Sequence, residues 1–101
     1  MKMTRIEAER KAKNALKGLY RGKAPCIYGT DYEDKLEVCF FVHKNHRPWE
    51  KLRPIYEKCL KWQEDAAKAL KAAGFTHVRI HQLRNTVFEN FYCPCITFRF
   101  K

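Results

Sequence analysis

The sequence predicts an α+β domain, a two-layer sandwich of helix-hairpin-helix-hairpin order (αββαββ) with two helices on one face of an antiparallel sheet. Three observations predict it. Apolar residues recur at helical spacing in an early and a central segment, the alternating run Leu36-Glu37-Val38-Cys39-Phe40-Phe41-Val42 follows the first, and two further alternating runs follow the second. One domain, residues 1–101, accounts for the length. Seven Phe, five Tyr and two Trp give it an aromatic core.

The first helix opens at Thr4, with Glu7 three residues on as a capping-box partner, and runs to about Tyr20 before Gly22 and Pro25 stop it. Ala8, Ala12, Ala15 and Leu19 form its core stripe, and Arg10, Lys13, Lys17 and Arg21 a cationic stripe opposite. Cys26 to Gly29, a polar turn from Thr30 to Asp34, and Leu36 to Val42 make the first hairpin. Period-two alternation puts Leu36, Val38, Phe40 and Val42 on one face and Glu37, Cys39, Phe41 and His43 on the other.

Lys44 to Pro48 is a basic loop, Pro48 opens a helical turn, and Pro54 marks a kink or a restart. From Ile55 onward Cys59, Trp62, Ala66, Ala69, Leu70 and Ala73 make a broad apolar stripe, ended by Gly74 and centred on Trp62. Val78 and Ile80 then alternate with His77, Arg79 and His81 in a third strand. Tyr92, Ile96, Phe98 and Phe100 alternate with Cys93, Cys95, Thr97 and Arg99 in a fourth, where Pro94 suggests an edge strand or a bulge. A gapless offset of 54 residues lays Ala15-Leu16-Lys17 on Ala69-Leu70-Lys71 and Cys39 on Cys93, the trace expected of a degenerate internal repeat.

The formal charge of +10 exceeds what solvating two helices requires, and it points to a polyanionic partner. The candidate nucleic-acid-binding residues are Arg10, Lys13, Lys17, Arg21, Lys44, Arg47, Arg79 and Arg99. His77, His81, Phe41 and His43 share the outward faces of the hairpins, where rings can stack on bases. The expectation is a small protein that binds DNA or RNA mainly through the phosphate backbone, without catalysis. The alternative is an inhibitor or adaptor of the anti-CRISPR type, of phage or mobile-element size, that anchors on a host protein or nucleoprotein through Trp49, Tyr56 or the open sheet. The order of elements differs from the double-stranded-RNA-binding domain (helix, three strands, helix), from the RNA-recognition motif, which begins with a strand, and from helix-turn-helix.

Five cysteines, an odd count without scaffold-like spacing, suit a reducing, cytoplasmic setting and small apolar packing roles. Cys93 and Cys95 with His77 and His81 are the set from which a zinc site would be drawn. A regular strand holds the sulfurs of Cys-x-Cys about 7 Å apart, long for two ligands of one ion, so neither metal nor cofactor is expected. Asp31, Asp34 and Glu37 read as a soluble turn rather than a catalytic group, and the isolated glycines build no phosphate loop or nucleophile elbow. The amino end carries no apolar leader, and the longest uncharged stretch, Asn90 to Phe98, is too short for membrane insertion. An uncovered sheet face leaves room for a homodimer.

Overall fold

Thr4 starts the first helix as its sequence indicates: its Oγ1 accepts the Glu7 backbone N–H at 3.2 Å, satisfying one of the donors a helix leaves unpaired. The computed structural model describes residues 3–83 and 90–100. In it the order is α1 (Arg5–Leu16), β1 (Cys26–Gly29), β2 (Lys35–Cys39), β3 (Val42–His43), α2 (Trp49–Ala72), β4 (Thr76–Ile80), β5 (Phe91–Tyr92) and β6 (Cys95–Arg99).

Helix α1 stops at Leu16, a turn short of the expected end, because Lys17 is extended and Gly18 takes a φ of +78°, the left-handed region that favours glycine. Two expectations change as a result. Leu19 lies at the surface while Leu16 and Tyr20 enter the core. The four-residue cationic stripe is broken: Arg10 and Lys13 stand on the helix, Lys17 caps it, and Arg21 belongs to the turn beyond.

Helix α2 runs unbroken from Trp49 to Ala72 with Pro48 as its N-cap. Pro54 neither ends nor restarts it; as the sixth helical residue it forfeits one bond, to the first-turn carbonyl of Glu50. Cys59, Trp62, Gln63, Ala66, Ala67 and Leu70 form its buried face. The C-terminus closes as a Schellman motif, with Phe75 N–H donating to Leu70 O (3.1 Å), Gly74 N–H to Lys71 O (3.0 Å), and Gly74 at φ +97°.

The sheet is antiparallel in the order β1-β2-β6-β4, and β3 pairs separately with β5. Two helices and a four-stranded antiparallel sheet make this an α+β fold. Leu36↔Phe98, Cys39↔Cys95 and Val42↔Tyr92 share one register, so the break between the β2/β6 and β3/β5 ladders inserts no residue. It falls where Pro94, which has no N–H to donate, interrupts the ladder. Pro94 lies between β5 and β6, in neither strand, so it marks a break in the ladder rather than the expected edge strand or bulge, and β6 itself is a central strand, paired on both sides.

Leu36, Val38, Phe40, Ile96, Phe98 and Phe100 face one core shared with Ala8, Ala12 and Leu16 of α1 and Trp62, Ala66 and Leu70 of α2. The Trp62 ring meets Phe40 edge-on at 4.7 Å, and Phe75 meets Phe98 at 4.7 Å. Trp62 Nε1 and the Tyr92 hydroxyl are buried without a hydrogen-bond partner among the described residues. No helix among the described residues is long and apolar enough to cross a membrane.

Candidate functional site

Alternation along β2 and β6 sends Lys35, Glu37, Cys39, Cys95, Thr97 and Arg99 to the face opposite the core, and cross-strand pairing adds Tyr28, Cys26 and Arg79. This open face has a basic end and a thiol end.

At the basic end, Lys35, His77, Val78, Arg79, Thr97 and Arg99 line a shallow groove of about 360 Å³. A β-bulge between Thr76 and Arg79, with His77 at φ +50°, shifts the register by one residue, so that Thr76 faces Arg99 and Arg79 faces Thr97. Arg79 and Arg99, expected to act together, thus share one surface. Arg99 Nη1 lies 3.8 Å from Asp34 Oδ2, a partly exposed pair of small energetic weight. Lys35 Nζ sits 5.5 Å over the Tyr32 ring.

At the other end, the Sγ atoms of Cys39, Cys93 and Cys95 all lie within 4.8 Å of one another. Cys93 and Cys95 are 3.6 Å apart, about half the expected spacing, because Pro94 breaks the regular pleat between them. Cys26 faces Cys39 and Cys39 faces Cys95 across neighbouring strands. His81 N–H donates to the Cys95 carbonyl at 3.2 Å, extending the row to the fourth strand. The His81 ring, however, turns to Thr97, with Nε2 3.0 Å from Oγ1, and His77 lines the opposite end of the face. The thiols converge on one another and not on the histidines.

Burial pushes the Cys39 thiol up to about 11, with the neighbouring Cys93 adding to the effect. Cys95 is raised by burial first and then by its hydrogen bond to Cys93. The Tyr28 hydroxyl is also raised, first by the neighbouring Cys26 thiol, with smaller contributions from burial, Cys39 and Cys93. Four of the five cysteines are buried or half-buried, as expected, but Cys59 alone joins the hydrophobic cluster between helices and sheet; Cys39, Cys93 and Cys95 are sequestered on the other face. Burial likewise lifts Cys59 to about 11.

Past the thiols the face continues into aromatic residues. Phe41 is 54% exposed and meets the Phe91 ring at 5.8 Å, and His43 lies 4.2 Å from Phe91. Tyr28, 47% exposed, stands between the two ends.

The remaining predicted residues are dispersed. Lys13 and Lys17 join Lys23 on a second groove of about 630 Å³, between the end of α1 and Cys26-Ile27. Arg47 is exposed in a loop where Asn45 and His46 both have φ +53°. Lys44 does not present a surface cation: it is only 8% exposed, its Nζ lies 4.7 Å over the Tyr92 ring, and its N–H donates to Asn90 O as the β3/β5 ribbon closes. Trp49, a candidate protein anchor, is half exposed and lies 5.9 Å from Tyr56. Lys35 and Tyr28 were not singled out from the sequence; Cys39 was placed with His43 on one side of its strand, but nothing in the sequence paired it in space with Cys93 and Cys95. No protein-family profile matches this sequence, and no curated protein matches it.

Proposed function

We propose that the open face of the sheet binds single-stranded nucleic acid, the phosphates held at the basic end and bases stacked on Tyr28 and Phe41. The observation that carries this reading is the joint presence on one sheet face of the Lys35-His77-Arg79-Arg99 groove and two half-exposed aromatic rings. Cations alone suit any polyanion. Rings exposed among them favour unpaired bases, whose faces a duplex hides. From Lys35 to His43 the ribbon spans roughly 27 Å at 3.4 Å per residue, long enough for several nucleotides. The Phe91 contact supports Phe41 in a fixed position, reducing the ordering cost of a stacked base.

Fluorescence anisotropy with single- and double-stranded DNA and RNA oligonucleotides across a salt series tests the reading. Lys35, Arg79 and Arg99 neutralising three phosphates of a single strand give a log–log salt slope of about −2, so a threefold rise in salt weakens binding roughly tenfold. Arg79→Gln with Arg99→Gln brings the slope to about −0.7. Phe41→Ala weakens binding by about 1 kcal/mol or more and leaves the slope unchanged. Duplex preference, or a loss confined to Lys13→Gln with Lys17→Gln, refutes it.

A further inference from the structure

A cysteine used as a small apolar packing group belongs in the core, as Cys59 does. Cys26, Cys39, Cys93 and Cys95 are instead all on the opposite side of the sheet, where no core residue needs them. They come from two distant parts of the chain: Cys26 and Cys39 from the β1–β2 hairpin, and Cys93 and Cys95 from the Pro94 break and β6. A tetrahedral ion with metal–sulfur bonds of about 2.3 Å needs sulfurs about 3.8 Å apart. Cys93 and Cys95 stand 3.6 Å apart, and the full triad is contained within 4.8 Å, so three ligands are already near their places. Cys26, the cross-strand partner of Cys39, lies on the same face of the sheet and offers the fourth thiol. Cys26 is exposed on the edge strand β1, where core packing does not fix its rotamer.

We propose that Cys39, Cys93, Cys95 and Cys26 bind one thiophilic divalent cation, with zinc as its type, in a four-thiolate site on the open face. All-sulfur coordination selects soft or borderline ions over magnesium and calcium. Binding releases four thiol protons to solvent and forms four metal–sulfur bonds, with no change of oxidation state. The product carries two negative charges, which the +10 chain tolerates. The ion fastens β1, β2 and β6 from the side that the hydrophobic core leaves unsupported. The inference is independent of the nucleic-acid reading, since it is read out on protein and metal alone.

The test is titration of the reduced, metal-free protein with Co²⁺, followed by displacement with Zn²⁺. The expected result is one ion per chain, with the visible d–d bands of tetrahedral cobalt, thiolate-to-cobalt charge transfer in the near ultraviolet, and loss of both on adding zinc. In competition with a chromogenic chelator, Cys39→Ser and Cys93→Ser each weaken zinc binding by about 100-fold or more, beyond the loss typical of outer-shell changes. Cys59→Ala, on the core side, leaves affinity unchanged. X-ray absorption of the zinc-loaded wild-type protein gives four sulfurs at about 2.3 Å, a readout that requires no variant to fold. Octahedral cobalt bands or a shell of oxygen and nitrogen overturn the site. Three sulfurs with one lighter atom overturn the assignment of Cys26.

Discussion

Gln63 is a polar side chain on the buried face of α2, and its removal makes a sharp test of how helix and sheet are joined. Its Nε2 donates to the His81 carbonyl at 2.9 Å and to the Cys95 carbonyl at 3.2 Å, linking the helix to β6 and to the residue that follows β4. Gln63→Met keeps the length and removes both donors. The Cys95 carbonyl retains the His81 N–H, so the loss there is one bond of about 1 kcal/mol. The His81 carbonyl loses the amide that satisfies it inside the protein, at about 1–3 kcal/mol. The methionine avoids the desolvation of an amide and returns about 1 kcal/mol. The net loss is about 2 kcal/mol, which lowers a urea midpoint by about 1 to 2 M for an m-value of 1 to 2 kcal/mol/M. Gln63→Glu sharpens the test. A carboxylate aimed at two carbonyls in a buried site has its folded pKa raised above the unfolded value near 4.3, so this variant is least destabilised near pH 4 and loses stability as pH rises. A Gln63→Met unfolding free energy within about 0.5 kcal/mol of wild type refutes the linking role.

Trp62→Ala, which empties the contact with Phe40, is expected to cost about 3–5 kcal/mol in the same urea assay. Gly74→Ala puts its Cβ in ordinary contact with Lys11 Nζ, 3.9 Å away, but forces a side chain into the left-handed region, so thermal unfolding should show a loss of about 1–2 kcal/mol with an unchanged circular-dichroism spectrum. In the metal-free protein, Cys39 and Cys59 hold their protons up to about pH 11, whereas the unfolded chain loses them near its usual thiol value of about 8.5. Stability should therefore fall as pH rises through that window, measured as urea midpoints under reducing conditions. Alkylation followed by mass spectrometry should modify exposed Cys26 first and buried Cys39 and Cys59 last.

The fold class was legible because burial writes a period into the chain: Leu36, Val38, Phe40 and Val42 alternate, and Cys59, Trp62, Ala66 and Leu70 recur by helical turns, in the structure as in the sequence. What the period does not encode is pairing. Nothing local sets β6 between β2 and β4, so Pro94 suggests an edge strand or a bulge where it in fact breaks the ladder next to a central strand. The same gap hid the thiol site, since Cys39 and Cys95 become neighbours only through a ladder that joins distant parts of the chain. The cationic stripe failed for a local reason, a glycine able to turn left-handed one residue after the cap. Arg79 and Arg99 fell on one surface because the bulge at His77 leaves Arg79 opposite Thr97, two residues from Arg99 along β6. Lys44 shows the converse: a loop cation by sequence, drawn under Tyr92 by the β3/β5 pair.

The central position of β6 also orders events in time. The β1–β2 hairpin and the α2–β4 unit are local in sequence and form quickly, but the Lys35↔Arg99 and Cys39↔Cys95 pairs close loops of roughly 60 residues. On a ribosome, the sheet cannot be completed until β6 has emerged from the exit tunnel, and before then β2 waits with one side of its backbone unpaired. The thiols of β2 and β6 meet at the moment this last strand docks. Their encounter therefore reports completion of the topology, and any agent that bridges them acts on a finished sheet and slows its opening.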